Sequence, residues 1–276
     1  MLQQEAMIER VRQICRADER LAAAMMYGSF AQGEGDEHSD IEFILFFEDE
    51  ALETLDQEDW VAGISPVRLY FVNEYGIGTA IFENLVRGEF HFDRASDIEK
   101  VDESWRETDF FPSAEAALVM DRTGELERRL GEISGPPPNR DTPTRVEFQC
   151  SLFLNGLLFG VNVLQRGENA RALELLGNTQ RHLLWMVRTL EGTTEHWATP
   201  SKMLEGDVSE TSYARYAACT ARLDAKELTD AYLAAWGWGK DLIAALGERY
   251  GVAPPATLLE NLDRRFAVNL ARKETR

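Results

Sequence analysis

The amino-acid sequence predicts an α+β protein in two parts. Apolar runs separated by short polar segments fill the first half, and they predict a small mixed β-sheet with flanking helices. The second half has long stretches of helical periodicity and almost no strand pattern, which predicts an all-α helical bundle. Three consecutive prolines within 133–143 cannot continue a helix, so we place the domain boundary there, with domains over 1–138 and 139–276.

The individual elements follow from local patterns. Ile8, Val11 and Cys15 recur at helical spacing and predict an amphipathic helix over 3–18. Apolar runs, several of them alternating, predict strands over 22–27, 41–47, 66–72, 89–93 and 117–120. Shorter helical patterns predict helices over 30–32, 80–87 and 123–130, and a loop or short helix over 48–59. In the C-terminal domain, helices are predicted over 145–166, 168–191, 209–221, 225–250 and 255–272.

The composition limits the classes of partner. The chain has 48 acidic and 29 basic residues and a formal net charge of −19. This charge argues against a nucleic-acid partner, because binding to a phosphate backbone depends on Lys and Arg. The three widely spaced cysteines are typical of thiols in a reducing compartment. No signal peptide and no apolar run long enough to cross a membrane are recognised. We therefore expect a cytoplasmic protein with no membrane partner.

Two carboxylates stand one residue apart at the start of the strand predicted over 41–47. Side chains on a strand repeat every two residues, so Asp40 and Glu42 point to one face. Clustered carboxylates repel each other unless a cation neutralises them. Mg²⁺ prefers such oxygen ligands and commonly combines one or two carboxylates with substrate phosphates. The pair therefore predicts a site for a metal-bound nucleotide.

A Gly-Ser pair just upstream suits the phosphates of that nucleotide. Gly28 lets a backbone approach a phosphate closely, and Ser29 can donate its hydroxyl and its backbone N–H. The helical turn that follows adds further N–H groups and a favourable dipole. Either the Asp-x-Glu or the Gly-Ser alone would be common; their ordered combination around an apolar strand is what predicts the site.

A third carboxylate is expected beside the pair, as a general base, a metal ligand or both. Glu89 is our candidate, because it opens a later strand of the same sheet; Asp93 and Glu74 are its rivals. His91 shares a strand face with Glu89 and is a weaker candidate, as a base or a substrate-binding residue, since an ordinary strand histidine is the better explanation. The sequence does not identify which basic residue contacts the triphosphate. The candidates are Arg68, Arg87, Arg94 and Lys202.

These motifs resemble those of a known family. The segments 27–36, 39–43 and 88–92 are similar to those of the lincosamide nucleotidyltransferases, an antibiotic-resistance branch of the DNA polymerase β-like nucleotidyltransferase superfamily. Many superfamily members carry Asp-x-Asp where this chain has Asp-x-Glu. The resemblance implies a nucleotidyltransferase-type sheet domain followed by a helical domain for substrate binding and possible dimerisation.

The resemblance also implies an activity. Its members transfer a nucleoside monophosphate, usually AMP from ATP, to a hydroxyl of lincomycin or clindamycin and release pyrophosphate, with Mg²⁺ as cofactor. Carried to this chain, the resemblance implies that Asp40, Glu42 and Glu89 are metal ligands and that Glu89 is also the general base. It implies that Gly28 and Ser29 bind the phosphates of the nucleotide, and that the protein is a homodimer. Two alternatives stay open: an aminoglycoside nucleotidyltransferase, and a non-catalytic nucleotidyltransferase-like antitoxin or partner protein.

Overall fold

The computed structural model describes residues 1–106 and 111–273, with side chains described as far as residue 266. The chain forms two compact units, Met1–Pro138 and Asn139–Arg276. The first unit is built on a sheet with helices packed against it, and the second consists of helices and their connections, with no strand among its described residues. The predicted α+β class is therefore confirmed.

The sheet of the first unit has six strands. They are β1 Leu21–Met26, β2 Ile41–Phe47, β3 Val67–Val72, β4 Gly78–Phe82, β5 Arg87–Arg94 and β6 Leu118–Asp121. Their order across the sheet is β3-β4-β5-β2-β1-β6. All neighbours are antiparallel except β2 and β5, which run parallel, so the sheet is mixed as predicted. Strands β1 and β2 are the most buried, because nearly all of their side chains lie in the apolar core.

The helix predicted over 80–87 is wrong. Residues Gly78–Phe82 form β4, and a tight turn leads directly into β5. In the turn, the backbone N–H of Phe82 donates to the carbonyl of Val86, and the Asn84 side chain accepts from the Val86 N–H. Short apolar runs fit either period, and here the pairing of β4 with strands on both sides decides for the strand.

Seven α-helices and one 3-10 helix, Ala95–Lys100, complete the fold of the first unit among its described residues. The α-helices are α1 Gln3–Ala17, α2 Gly28–Gln32, α3 Asp49–Leu52, α4 Gln57–Ala62, α5 Val101–Trp105, α6 Ala114–Ala117 and α7 Glu125–Ile133. Helix α7 begins two residues later than predicted, because the Asp121 carboxylate accepts the backbone N–H groups of Thr123, Gly124 and Glu127.

The second unit is a bundle of long helices. Its described helices are α8 Pro143–Gln165, α9 Asn169–Glu191, α10 Leu204–Asp207, α11 Glu210–Ala218, α12 Ala225–Tyr250 and α13 Ala256–Lys273. Glycines allow the long helices to approach closely: a Cβ on Gly239 would lie 2.1 Å from the Phe153 ring, so α12 packs tightly against α8. The Trp-Gly-Trp-Gly segment beginning at Trp236 is thus part of the helical core, with Trp236 and Trp238 buried.

One buried arginine ties a long connection to this bundle. Arg188 on α9 has no exposed surface. Its guanidinium donates to the carbonyls of Thr193, Pro200 and Lys202 and to the carboxylate of Asp207. Each of the three guanidinium nitrogens donates to an acceptor, so the charge of the buried side chain is compensated. These bonds hold the segment 192–208 in place.

Helix α8 departs from the expectation that no apolar run could cross a membrane. Among the described residues it is the one helix that is long and apolar enough to do so by length and composition. Half of its most apolar window is buried, as in the core helix of a globular domain. Because it packs against α9 and α12, its apolar composition has a structural explanation.

Candidate active site

Three predicted acidic residues and one arginine meet on one face of the sheet. Asp40 directly precedes β2, and Glu42 is the second residue of that strand. On the neighbouring strand β5, Glu89 pairs with Glu42 in parallel register, and Arg87 stands two residues before it. Side chains in register on parallel strands share a face, so Arg87 lies beside Asp40 and Glu89 beside Glu42. We call these four residues the charged square.

The arginine of the square joins two of its acids. The Arg87 guanidinium donates one N–H to the Asp40 carboxylate and another to the Glu89 carboxylate. The Asp40 side chain is 30% exposed, that of Glu89 17% and that of Arg87 45%. The arginine therefore lies toward solvent, and the two acids are more buried. Three carboxylates against one guanidinium leave two negative charges uncompensated when all four groups are ionised.

The chemistry of the square fits Mg²⁺, whose preferred ligands are carboxylate oxygens. Within the described residues, however, no group of three or more His, Cys, Asp or Glu side chains is arranged to hold a metal ion. In this arrangement the Arg87 guanidinium bonds two of the three acids that would supply the oxygens. The donors are therefore of the right type for Mg²⁺, and two of them are paired with a cation of the chain.

Tyr27 is a site residue that sequence reasoning missed. Its hydroxyl lies 3.3 Å from the Glu89 carboxylate and 3.1 Å from Nε2 of His91. Burial raises the pKa of Tyr27, and the charges of Glu42 and Glu89 raise it further, so the phenol stays protonated. Burial lowers the pKa of His91, which favours neutral imidazole. With Tyr27 donating to Glu89, the Nε2–H of His91 can donate to Tyr27, which aims the carboxylate.

Gly28 lies against the square, and Ser29 follows it in helix α2. Gly28 has φ +70°, and a Cβ there would lie 1.6 Å from Oε2 of Glu42, so only glycine leaves room for that carboxylate. The Ser29 hydroxyl is buried and has no hydrogen-bond partner among the residues that the structure describes. An orphaned hydroxyl at this place fits a ligand oxygen. Helix α2 has five residues, so its dipole adds little to such a site.

A cavity of about 690 Å³ adjoins the square. Asp40 and Arg87 form part of its wall, and the remainder comes from the start of α1, the loop before β2 and the turn between β4 and β5. Its residues are 1–4, 37–40 and 84–87. Arg87 therefore borders a cavity that is large enough for part of a ligand.

The rival candidates lie elsewhere. Asp93 stands opposite Phe46, four residues beyond Glu89, which is roughly 13 Å along a strand. Glu74 lies in the turn between β3 and β4. Of the three arginine candidates, Arg68 pairs with Glu83 and Arg94 with Glu53. Among the candidates of the first unit, Glu89 and Arg87 are therefore the ones that the fold brings to Asp40 and Glu42.

From the sequence, Arg87 is only one of four candidates for contacting the triphosphate, although strand alternation could have placed it beside Glu89. Arg87 precedes Glu89 by two residues, and the incorrect helix over 80–87 removed it from the strand. Tyr27 follows β1 directly, next to the Gly-Ser pair. Trp105, whose ring lies 4.9 Å from that of Tyr27, has no signal in the sequence, because it arrives from α5 far along the chain.

Two family models match the chain. The model described as a nucleotidyltransferase domain matches residues 8–104, and the model described as the lincosamide nucleotidyltransferase-like C-terminal domain matches residues 142–265. No curated protein matches the sequence. One solved structure similar to the chain is an aminoglycoside 6-adenyltransferase from Bacillus subtilis, at 13% identity, with 96% of each chain covered and a TM-score of 0.44. Another is a nucleotidyltransferase-like protein from Exiguobacterium sibiricum, at 11% identity, with 88% of this chain and 77% of that chain covered and a TM-score of 0.40.

Asp93, the rejected rival, provides a pH-dependent test of the fold. Burial and the charge of Asp97 raise the pKa of Asp93 to about 6. A raised carboxyl pKa means that the folded state favours the protonated acid, so this stabilisation is complete below pH 3.8 and is lost as the pH rises through about 6. We expect Asp93→Asn to raise the unfolding free energy at pH 7.5 by up to about 3 kcal/mol and to leave it nearly unchanged near pH 4.

Urea denaturation at the two pH values measures this difference. Asp97→Asn is the matched control, because it removes the charge that adds to the shift and should show the same trend at reduced size. Equal stabilisation by Asp93→Asn at both pH values would contradict the burial of an ionisable carboxyl at this position.

Proposed function

This chain belongs to the lincosamide nucleotidyltransferase-like family, and from that premise we propose that it transfers AMP from ATP to a hydroxyl of a lincosamide antibiotic. Pyrophosphate is the second product. The observation that carries this proposal is the charged square, in which the register of β2 and β5 gathers Asp40, Glu42 and Glu89 on one face, with the backbone of Gly28 against the Glu42 carboxylate. Such a gathering of acids is costly for a protein that never binds a cation there.

The three acids have distinct tasks in this proposal. Asp40, Glu42 and Glu89 would hold Mg²⁺, which when bound neutralises the charge of the triphosphate and of the developing transition state. Glu89 accepts the proton of the antibiotic hydroxyl that attacks the α-phosphorus. Tyr27 supports this role by aiming the Glu89 carboxylate through its hydrogen bond.

The phosphate groups are assigned to the Gly-Ser pair. Gly28 has no Cβ and so leaves room for the Glu42 carboxylate. The Ser29 hydroxyl donates to a phosphate oxygen in this proposal, since it has no hydrogen-bond partner in the described part of the chain. His91 remains a weaker candidate for substrate contact, since its Nε2 lies next to the Tyr27 hydroxyl. Catalysis by this arrangement rests on positioning and electrostatics.

The proposal extends to the rest of the chain. We assign substrate binding and homodimer formation to the helical unit, and we expect ATP and a small antibiotic, rather than a nucleic acid, as partners of this acidic protein. All three cysteines, Cys15, Cys150 and Cys219, are free and buried, which suits a cytoplasmic location.

An assay with labelled nucleotide tests the substrate class. We expect label from α-³²P-ATP to appear on clindamycin and not on kanamycin, with release of pyrophosphate. Transfer to kanamycin alone would favour an aminoglycoside nucleotidyltransferase, for which the net charge of −19 would suit a polycation. Release of no pyrophosphate with either antibiotic, together with tight binding of a protein, would favour the non-catalytic partner.

Replacement of a single acid should abolish transfer and leave the fold intact. We expect Asp40→Asn to lower the rate of AMP transfer by at least about a hundredfold, because the neutral amide cannot offset the charge of a metal. Circular dichroism should remain that of the folded protein. Glu53→Gln, on an exposed acid paired with Arg94, is the control and should keep the normal rate. Near-normal turnover by a folded Asp40→Asn variant would count against the proposal.

Gly28 and Gly33 form a matched pair for testing whether Gly28 makes the room that the Glu42 carboxylate needs. Both have positive φ, +70° and +79°, but a Cβ would meet Glu42 only at Gly28 and has open space at Gly33. We expect Gly28→Ala and Gly33→Ala each to lose about 1 kcal/mol of stability from backbone strain. Only Gly28→Ala should also lower AMP transfer, because it displaces the Glu42 carboxylate. An equal loss of activity in both variants would refute this role of Gly28.

A further inference from the structure

The structure separates Arg87 from the other candidate bases by what it contacts. Arg94 stands at the opposite end of the same strand with the same exposed fraction, 45%, yet among the residues that the structure describes its polar partners are Glu53 and the Asp49 carbonyl. Arg87 meets two acids of the charged square, and both bonds come from the two terminal nitrogens of one guanidinium. A planar fork suits two carboxylates in this way, and it suits phosphate oxygens equally well.

The same two acids are needed by a metal. Asp40 and Glu89 therefore have two possible cationic partners, a guanidinium already on the chain and a divalent ion from solution. Their oxygens cannot serve both at full strength, because two cations at one carboxylate pair repel each other. Arg87 is nearly half exposed and forms part of the wall of the 690 Å³ cavity, so its long side chain has space into which it can turn.

We propose that Arg87 is the counter-ion of the metal-free site and a triphosphate-binding residue of the loaded one. Without metal, its guanidinium holds Asp40 and Glu89 together against their mutual repulsion. When metal and nucleotide bind, the acids pass to the metal and Arg87 turns to the oxygens of the triphosphate. The inference rests on the proposed nucleotidyl transfer, and it adds a positioning residue that exchanges partners within that site.

Metal binding without nucleotide tests the first half. We titrate the whole protein with Mn²⁺ by calorimetry, comparing wild type, Arg87→Met and the matched control Arg94→Met. Removal of the competing charge should tighten Mn²⁺ binding by Arg87→Met about tenfold, since a charge at this range shifts such equilibria by about one log unit. In EDTA the melting temperature of Arg87→Met should fall, and Mn²⁺ should restore it. Arg94→Met should match wild type in Mn²⁺ affinity.

Binding of a non-hydrolysable nucleotide tests the second half. With saturating Mn²⁺, Arg87→Met should bind α,β-methylene-ATP about tenfold more weakly than wild type, because it lacks charge-assisted bonds to phosphate. Arg87→Lys keeps the charge and loses the fork, so its affinity should lie between the two. A merely structural ion pair would lower the melting temperature equally with and without Mn²⁺.

Each result decides the inference. Unchanged or weaker Mn²⁺ binding by Arg87→Met, or unchanged binding of the nucleotide analogue, overturns it. If Arg87→Met does not fold, Arg87→Gln carries the same tests, because its amide can still donate a hydrogen bond without the charge. Failure of both to fold, while Arg94→Met folds, assigns Arg87 a structural role and also overturns it. None of these measurements needs AMP transfer, so a chain that binds as expected and modifies no antibiotic refutes only the proposed function.

Discussion

The parallel pairing of β2 with β5 is the constraint on which the candidate site depends. Residues far apart in the chain become neighbours because parallel strands in register present equivalent side chains on one face. A slip of one residue would turn Glu89 and Arg87 to the opposite face and leave Asp40 and Glu42 without them. The opposite face holds the register, since Phe43 and Phe90 stack there with ring centroids 5.9 Å apart within the buried core.

The apolar face explains how the fold tolerates the acids. Burial of the aromatic and aliphatic side chains of β2 and β5 stabilises the strands irrespective of the charges on the other side. Repulsion among Asp40, Glu42 and Glu89 is then a local cost, reduced by the guanidinium of Arg87 and by the Tyr27 hydroxyl. A charged cluster on a rigid sheet is suited to ligands that arrive with the missing positive charge.

Two arginines show how the same side chain serves structure in one place and a site in another. Arg188 is fully buried, and its guanidinium donates to carbonyls of the segment 192–208 and to Asp207. These bonds fix its position. Arg87 is nearly half exposed, and its partners are carboxylates that other cations would also bind. The environment, rather than the residue type, distinguishes an anchor from a group that can exchange partners.

The sequence by itself determined the class of the fold, the long helices after residue 142 and the Asp40–Glu42 pair, because periodicity and alternation are local properties of the chain. It misassigned residues 80–87, since a short apolar run fits a helix or a strand equally well. Only the tertiary structure decided that Glu89, and neither Asp93 nor Glu74, stands beside the pair, and that Arg87 and Tyr27 bond to it. Such contacts depend on the order and register of strands, which are set by long-range pairing that no local pattern encodes.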